Sequence, residues 1–468
     1  MKRVILIAIG AVMVLAASLA FRVRADGTRF STLYTFEAAA PVTFTSPLGS
    51  QPDTRPVLGP NNTVYGMTSA GGANGNGVIY RFALESKQYT VLHTFSAVDA
   101  NGNNEDGAIP GVALTRGPDD VFYGMASFGG QNGNGTIFKI TTSGEFTVLH
   151  TFSGLDGNAH NEDGANPLRT LVISKDGKLY GTTRLGGQNT CGLTPFLNSC
   201  GVAWVIDREG NFSVLHQFTA TEGHAASLLQ ARDGFFYGCA VWPATSLPGT
   251  PPTPLPSGIL YRMSPSGHDF DVLYTFTQTD ANGANMDGAD CYEPLVETKP
   301  GVFYGAAYHG GTNGTGVVFR YSLSKPNVVE IVHDFSGLNA SGQNWDGANP
   351  YARLTPGKHG TLYSTASFGG MNGNGVVYRI RPDGDFEVLH TFSATDPTTG
   401  ANTDGATPDF GVVLRRHDRE EDSDAQDRRD DEDNSLIGIA DYGGNGSSAG
   451  FFNSGGTLYQ LKLDDWDD

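Results

Sequence analysis

The chain has 468 residues, with 30 Lys and Arg against 49 Asp and Glu, a formal net charge of −19 at pH 7 and 39% hydrophobic residues. So acidic a balance excludes electrostatic binding to nucleic acid or to anionic membranes, and it fits an exported soluble protein or a cation-binding one. Glycine, at 63 residues, is abundant enough to imply many tight turns.

Residues 1–25 open with Lys2-Arg3, continue through an apolar run from Val4 to Ala20 and end at Val23-Arg24-Ala25. This order reads as a secretory signal peptide. An uncleaved anchor is the rival reading, since the apolar run is close to the minimum for a membrane span. Removing these residues takes away four positive charges and no negative ones, which moves the net charge from −19 to −23. The expected location is periplasmic or extracellular, with no membrane contact after removal of the signal.

From residue 26 to 463 the chain is a repeat. One module runs from Val121 to Phe152: a Tyr123-Gly124 pair, a glycine-rich loop closing on Gly135 to Phe138, and the ending Val148 to Phe152. The final Phe recurs at Phe36, Phe95, Phe152, Phe218, Phe276, Phe335 and Phe392, in steps of 57 to 66 residues. Seven copies of such a period mean stacked β units. In the second copy, turn signals divide the module into strands near Val112 to Thr115, Val121 to Ser127, Gly135 to Thr141 and Glu145 to Ser153. Four antiparallel strands repeated seven times describe an all-β, seven-bladed β-propeller. A β-solenoid is the rival, but its coils are usually shorter. The N-terminus carries an orphan copy of the last strand, Arg29 to Phe36, and the final repeat stops after its third, Gly456 to Leu463. The first strand is therefore expected to complete the seventh blade and close the ring, removing exposed sheet edges.

The recurring Tyr-Gly, Gly-Gly, Asn-Gly-x-Gly and Leu-His-x-Phe elements resemble those of exported bacterial tandem-repeat proteins that carry GloVer repeats, the choice-of-anchor group often found with varied surface-anchoring tails. The resemblance spans roughly residues 27–463 and implies an exported propeller-like repeat protein. It supplies no catalytic residues. The chain ends in the acidic residues 464–468 without an apolar helix, so release rather than anchoring is expected.

Four cysteines in an exported chain suggest two disulfides. Cys191 with Cys200 would close an insertion in the third glycine-rich loop, which leaves Cys239 and Cys291 in neighbouring repeats. His93, His150, His216, His333 and His390 share one strand position, filled by Tyr34 and Tyr274 in the other copies. Such regularity favours hydrogen-bonded packing between blades over a ring of ligands.

After each strand-ending Phe, the linkers place oxygen donors at alternating positions before an Asp-Gly turn. The clearest sets are Asp99, Asn101 and Asp106; Asp156, Asn158 and Asp163; and Asp280, Asn282 and Asp287. Calcium is one use of such loops, although the bidentate Glu of an EF-hand is missing. Side chains that satisfy turn amides are the other use, and the favoured one.

Linkers and glycine-rich loops are expected on one face, where ligand sites belong. Departures from the repeat cluster there in copies three to five. The fourth has Glu222 and His224, and its loop becomes Trp242 followed by a Pro-rich run. Arg184, His309, Tyr292 and Glu293 break the pattern beside it. Trp242, Glu222 and Glu293 would bind a sugar by stacking and hydrogen bonds. Alternatively, Arg184 would neutralise a uronate while His224, His309 or Tyr292 served as base and acid of a lyase. A fourth blade that has merely drifted explains the same departures. The charged segment 415–434 of the seventh copy reads as a solvated, disordered loop.

No phosphate-binding loop, HExxH, zinc-spaced cysteine cluster or GxSxG elbow occurs. The sequence thus points to an exported propeller that binds extracellular polysaccharide or a surface protein. The alternatives are a polysaccharide lyase or hydrolase, and a calcium-stiffened structural protein.

Overall fold

The computed structural model describes residues 29–40, 43–191, 198–207, 209–242, 257–416, 434–445 and 455–463. The expected signal peptide, the Pro-rich run after Trp242, most of segment 415–434 and the acidic tail lie outside the described residues. Seven separate four-stranded antiparallel sheets succeed one another, the fourth with its first strand split in two. Blade two is typical, with strands Thr115–Arg116, Val121–Ala126, Thr136–Thr141 and Phe146–Thr151 in meander order. The seventh sheet is built from Val412–Arg415, Ser435–Ala440 and Thr457–Lys462, and the N-terminal strand Arg29–Thr35 pairs with the last of these. The ring is closed as the chain ends suggested.

Local chemistry explains the repeating motif. Gly124 of the Tyr-Gly pair sits opposite Phe138 on the next strand, and a Cβ there would lie 2.5 Å from the ring. The glycine vacates the space that the third-strand aromatic fills. Gly66 opposite Tyr80, Gly181 opposite Trp204 and Gly438 opposite Tyr459 repeat the arrangement. Between the third and fourth strands the register slips at Ile137/Phe138, so Leu149 is the extra residue of a bulge, and a bulge increases strand twist.

Each blade is too thin to bury a core alone, and the cores form between blades. Tyr65, Met67, Ile79 and Phe95 of blade one pack with Leu114, Phe122 and Phe138 of blade two. Six further clusters occupy the remaining interfaces, the last joining Ile437 and Leu458 of blade seven to Val64 and Phe82 of blade one.

The recurrent histidines tie each blade to its linker and to the next blade. His93 Nε2 is 2.9 Å from Asp106 Oδ2, and Asp106 also accepts the Ser96 amide and hydroxyl. The ring of His93 lies flat on Phe146 of blade two, 3.9 Å between centroids at 4°. His150, His333 and His390 repeat this with Asp163, Asp346 and Asp404, while His216 uses Glu222 in the shorter fourth linker. Tyr34 stacks on Tyr89 at the closing interface. Tyr274, at the interface of blades four and five, donates to Asp287. There Val329 stands in the position of Phe146, no aromatic face is offered, and the disulfide Cys239–Cys291 crosses this interface instead. Cys191–Cys200 closes the third glycine-rich loop, so both pairings agree with the sequence reading.

Burial opposes ionisation of Asp106, Asp163 and Asp404, but hydrogen bonds from the histidine and serine outweigh it and hold each carboxyl below its ordinary value. The stability they contribute is present above the unfolded value near 4 and is lost as pH falls through the lower folded values. Asp346, fully buried, carries the same bonds. Asp346→Ala should cost about 2–3 kcal/mol in a urea melt, because it strands the histidine and serine donors. The exposed Asp280→Ala should cost clearly less, and equal costs would refute the assignment.

Candidate functional site

The first strand of each blade borders the ring axis, where first strands of neighbouring blades abut. In six of the seven, the axial segment that leads into or opens this strand has a residue in the left-handed region: Gln51, Ile109, Asn166, Asp290, Asn349 and Thr407, with φ between 53° and 61°. For a β-branched residue such as Ile109 this is strained. In blades two, three and five to seven, the amide of that residue donates to the preceding blade, as Ile109 does to the Asn76 carbonyl at 3.1 Å and Asn349 to Thr315 at 2.7 Å. The backbone of the axial strands is thereby set by neighbours, and their next three side chains are free to vary.

They vary from blade to blade, although Asp53 and Asp409, Tyr292 and Tyr351, and Arg55 and Arg353 occupy matching positions. Pro52 is followed by Asp53-Thr54-Arg55, Pro110 by Gly-Val-Ala, Pro167 by Leu168-Arg169-Thr170, Cys291 by Tyr292-Glu293-Pro294, Pro350 by Tyr351-Ala352-Arg353 and Pro408 by Asp409-Phe410-Gly411. Many of these residues meet at a cavity of about 290 Å³ on the axis, lined by Asp53, Ile109, Gly111, Ser127, Phe128, Asn166, Leu168, Arg169, Arg184, Glu293, Tyr351 and Phe410. Its mouth lies on the face of the linkers and glycine-rich loops, which pair with each other at Ala108/Phe128, Ala289/His309 and Ala348/Phe368.

Arg169 is the centre of the site. Its guanidinium lies 4.3 Å over the Tyr292 ring and 4.9 Å over that of Tyr351, donates to the Tyr351 hydroxyl and stands 3.7 Å from Glu293. Arg55 donates to the Val412 carbonyl and the Thr355 hydroxyl. Burial, with Arg353 adding to it and Glu293 opposing, lowers the Arg55 pKa to about 9. Burial also lowers Arg353 and Arg184, the latter further by Arg169. Glu293 is pushed up by burial against the pull of Arg169, Arg353 and Arg55. On the other side, burial lifts Asp53 to about 7 and Asp409 to about 6. One carboxylate oxygen of each is buried without a hydrogen-bond partner.

Of the residues singled out in the sequence, Arg184 and Glu293 line this cavity and Tyr292 adjoins it through Arg169. The others are engaged elsewhere. His224 is buried, with Nδ1 3.0 Å from the Arg184 carbonyl, and burial lowers its pKa. His309 faces Asp290 at 2.8 Å outside the cavity lining. Glu222 serves His216 and the Thr219 amide, and Trp242 packs between blades three and four with Nε1 donating to the Ala220 carbonyl. The residues read as calcium ligands hold main-chain turns. Asp99, Asp156 and Asp280 each accept two amides, including those of Asn101, Asn158 and Asn282, and Asp106, Asp163 and Asp287 serve the strand-end bonds described above. Among the described residues, no group of three or more His, Cys, Asp or Glu is arranged to hold a metal ion. Sequence reasoning missed Asp53, Arg55, Arg169, Tyr351, Arg353 and Phe410. Aligning the six segments that follow Pro52, Pro110, Pro167, Cys291, Pro350 and Pro408 would have exposed them as the variable positions.

Fold and site together define a seven-bladed repeat propeller whose axial segments differ between blades and line one cavity. The profile described as the Gloeobacter/Verrucomicrobia repeat matches residues 18–195 and 193–416, and the chain belongs to that family. No curated protein matches the sequence. Among solved structures, an oligogalacturonate lyase from Vibrio parahaemolyticus is similar at 13% identity and TM-score 0.45, over 94% of this chain and 98% of that one. A GH74 xyloglucanase from Xanthomonas campestris is similar at 14% and 0.48, over 89% and 53%. A putative 6-phosphogluconolactonase from Bacteroides uniformis is similar at 12% and 0.46, over 81% and 88%. Similarity at this level carries no functional argument.

Asp53 gives a test of the site's electrostatics. Folding binds a proton to Asp53 between the ordinary carboxylate value near 4 and about 7. Its favourable contribution is therefore complete below the lower value and lost as pH rises through the upper one. Asp53→Asn should raise Tm at pH 8 and change it little at pH 4.5; an equal shift at both would show that Asp53 is not held protonated by burial.

Proposed function

We propose that the protein is an exported binding module for extracellular glycan and that the axial cavity is its ligand site. The single observation that carries this reading is the divergence of the axial segments: six blades whose strand and linker motifs recur place different side chains where they line one cavity. The lining has the composition of a sugar site, with the Phe128, Tyr351 and Phe410 rings beside a few polar groups. At about 290 Å³ the cavity suits one or two sugar units rather than an extended chain. Export is supported by the two disulfides, since such bonds persist in oxidising compartments. Among the described residues no helix is long and apolar enough to cross a membrane.

A second reading, hydrolysis, is favoured by one observation. Asp53, with its pKa near 7, and Glu293 share the cavity, and glycoside hydrolysis needs one protonated and one ionised carboxyl group.

Incubation of the purified protein with a panel of neutral and acidic polysaccharides separates the readings. Co-sedimentation without new products is the expected result for a binding module, and it should fall at least tenfold in Tyr351→Ala. Hydrated fragments in the mass spectrum would favour hydrolysis, and unsaturated ones elimination. Neither retention nor products from any polysaccharide would overturn the glycan reading.

A further inference from the structure

We propose that the axial cavity is selective for an acidic sugar unit, its carboxylate held by Arg184 and Arg169 and its ring set against Phe128 and Phe410. This rests on the glycan reading above and names the class of ligand. Four guanidinium groups, Arg55, Arg169, Arg184 and Arg353, gather at the axis of a chain whose formal net charge is −19. Glu293 is the carboxylate that acts on three of them, Arg169, Arg353 and Arg55. Arg169 is partly satisfied by it at 3.7 Å and by the Tyr351 hydroxyl. Arg184 lines the cavity and, among the described residues, its guanidinium has neither an ion pair nor a hydrogen bond to the protein.

A half-buried cation without a partner is costly, and no other copy of the repeat has arginine where Arg184 stands; the equivalent residues are Ser69, Ser127, Tyr308, Ser367 and Asp441 in blades one, two, five, six and seven. A carboxylate presented by a ligand removes that cost, because the planar guanidinium fork matches it with two parallel hydrogen bonds. The aromatic surface argues for a sugar acid over a bare inorganic anion. Phe128 is half exposed beside the mouth, and Phe410 meets Tyr351 edge to face at 6.1 Å, so a flat apolar ring face has somewhere to rest next to the cations. Besides Glu293, which is paired with Arg169, Asp53 is the lining carboxyl that would repel an anionic ligand when ionised. Its charged neighbours are Asp409 and Asp441, and its protonation removes that repulsion.

The test is calorimetric titration of the purified full chain with sodium glucuronate, glucose, glucose 6-sulfate and sodium sulfate. Glucuronate is expected to bind at least tenfold more tightly than glucose or sulfate, a difference of about 1.4 kcal/mol. Arg184→Gln should abolish that preference while the Tm of the variant stays near that of the parent. In the unaltered protein, glucuronate should bind several-fold more tightly at pH 5.5 than at pH 8, and Asp53→Asn should flatten this dependence without touching the arginines. Preference for glucose 6-sulfate would move the ligand class from carboxylated to sulfated sugars and overturn the carboxylate assignment. Equal binding of glucose and glucuronate, unchanged in Arg184→Gln, would overturn the inference while leaving the glycan reading intact. Binding of no sugar, acidic or neutral, would sink both.

Discussion

Among the described residues, a carboxylate at the end of six linkers governs the geometry of this ring. It takes hydrogen bonds from the strand-end histidine and from the amide and hydroxyl of the residue just past the strand-ending Phe, and so folds the linker back onto the strand it left. The same histidine ring lies flat on an aromatic of the following blade. One side chain therefore sets both how a blade ends and how the next one docks. Repeating this at successive interfaces fixes the small rotation per blade that closes seven sheets into a ring, and the inter-blade cores then need only be filled.

The exceptions show that the constraint can be met by other means. Tyr34 keeps the stacking on the next blade, Tyr274 keeps the bond to the linker carboxylate, and Glu222 replaces aspartate where the linker is shorter and a longer reach is needed. At the interface of blades four and five, Val329 offers no stacking partner and a covalent link, Cys239–Cys291, joins the blades. That link ends one residue before Tyr292 and two before Glu293, so it also anchors the strand that supplies the acid to the axial cavity.

With the periphery over-determined in this way, the axis is free to diverge. Six of the axial segments carry a left-handed residue and five of these bond through its amide to the preceding blade, and neither feature depends on the side chains that follow. Those positions have taken up three arginines, three carboxyl groups and two tyrosines, a collection that no packing role requires and that burial renders electrostatically strong.

The range of each interaction decided how much of this was legible beforehand. The seven copies, the four strands of each and ring closure by Arg29–Thr35 could be read from spacing, because a repeat displays its own alignment and its local turn chemistry within one module, whereas spacing only favoured the cysteine pairing over the other possible ones. The packing role of the histidines was also legible, since a residue kept in five copies serves every blade. The partner of each histidine was not, because the aspartate lies thirteen or fourteen residues away in a linker whose oxygen-rich pattern equally suits a cation. Arg184, Tyr292 and Glu293 stood out as departures, but His224, Trp242 and Glu222 stood out as strongly and are packing or strand-end residues. Sequence alone determined the architecture, whose rules are local and repeated. Only the tertiary structure decided the site, because Asp53, Arg169, Glu293 and Phe410 come from four blades far apart in the chain and are brought together only by closing the ring.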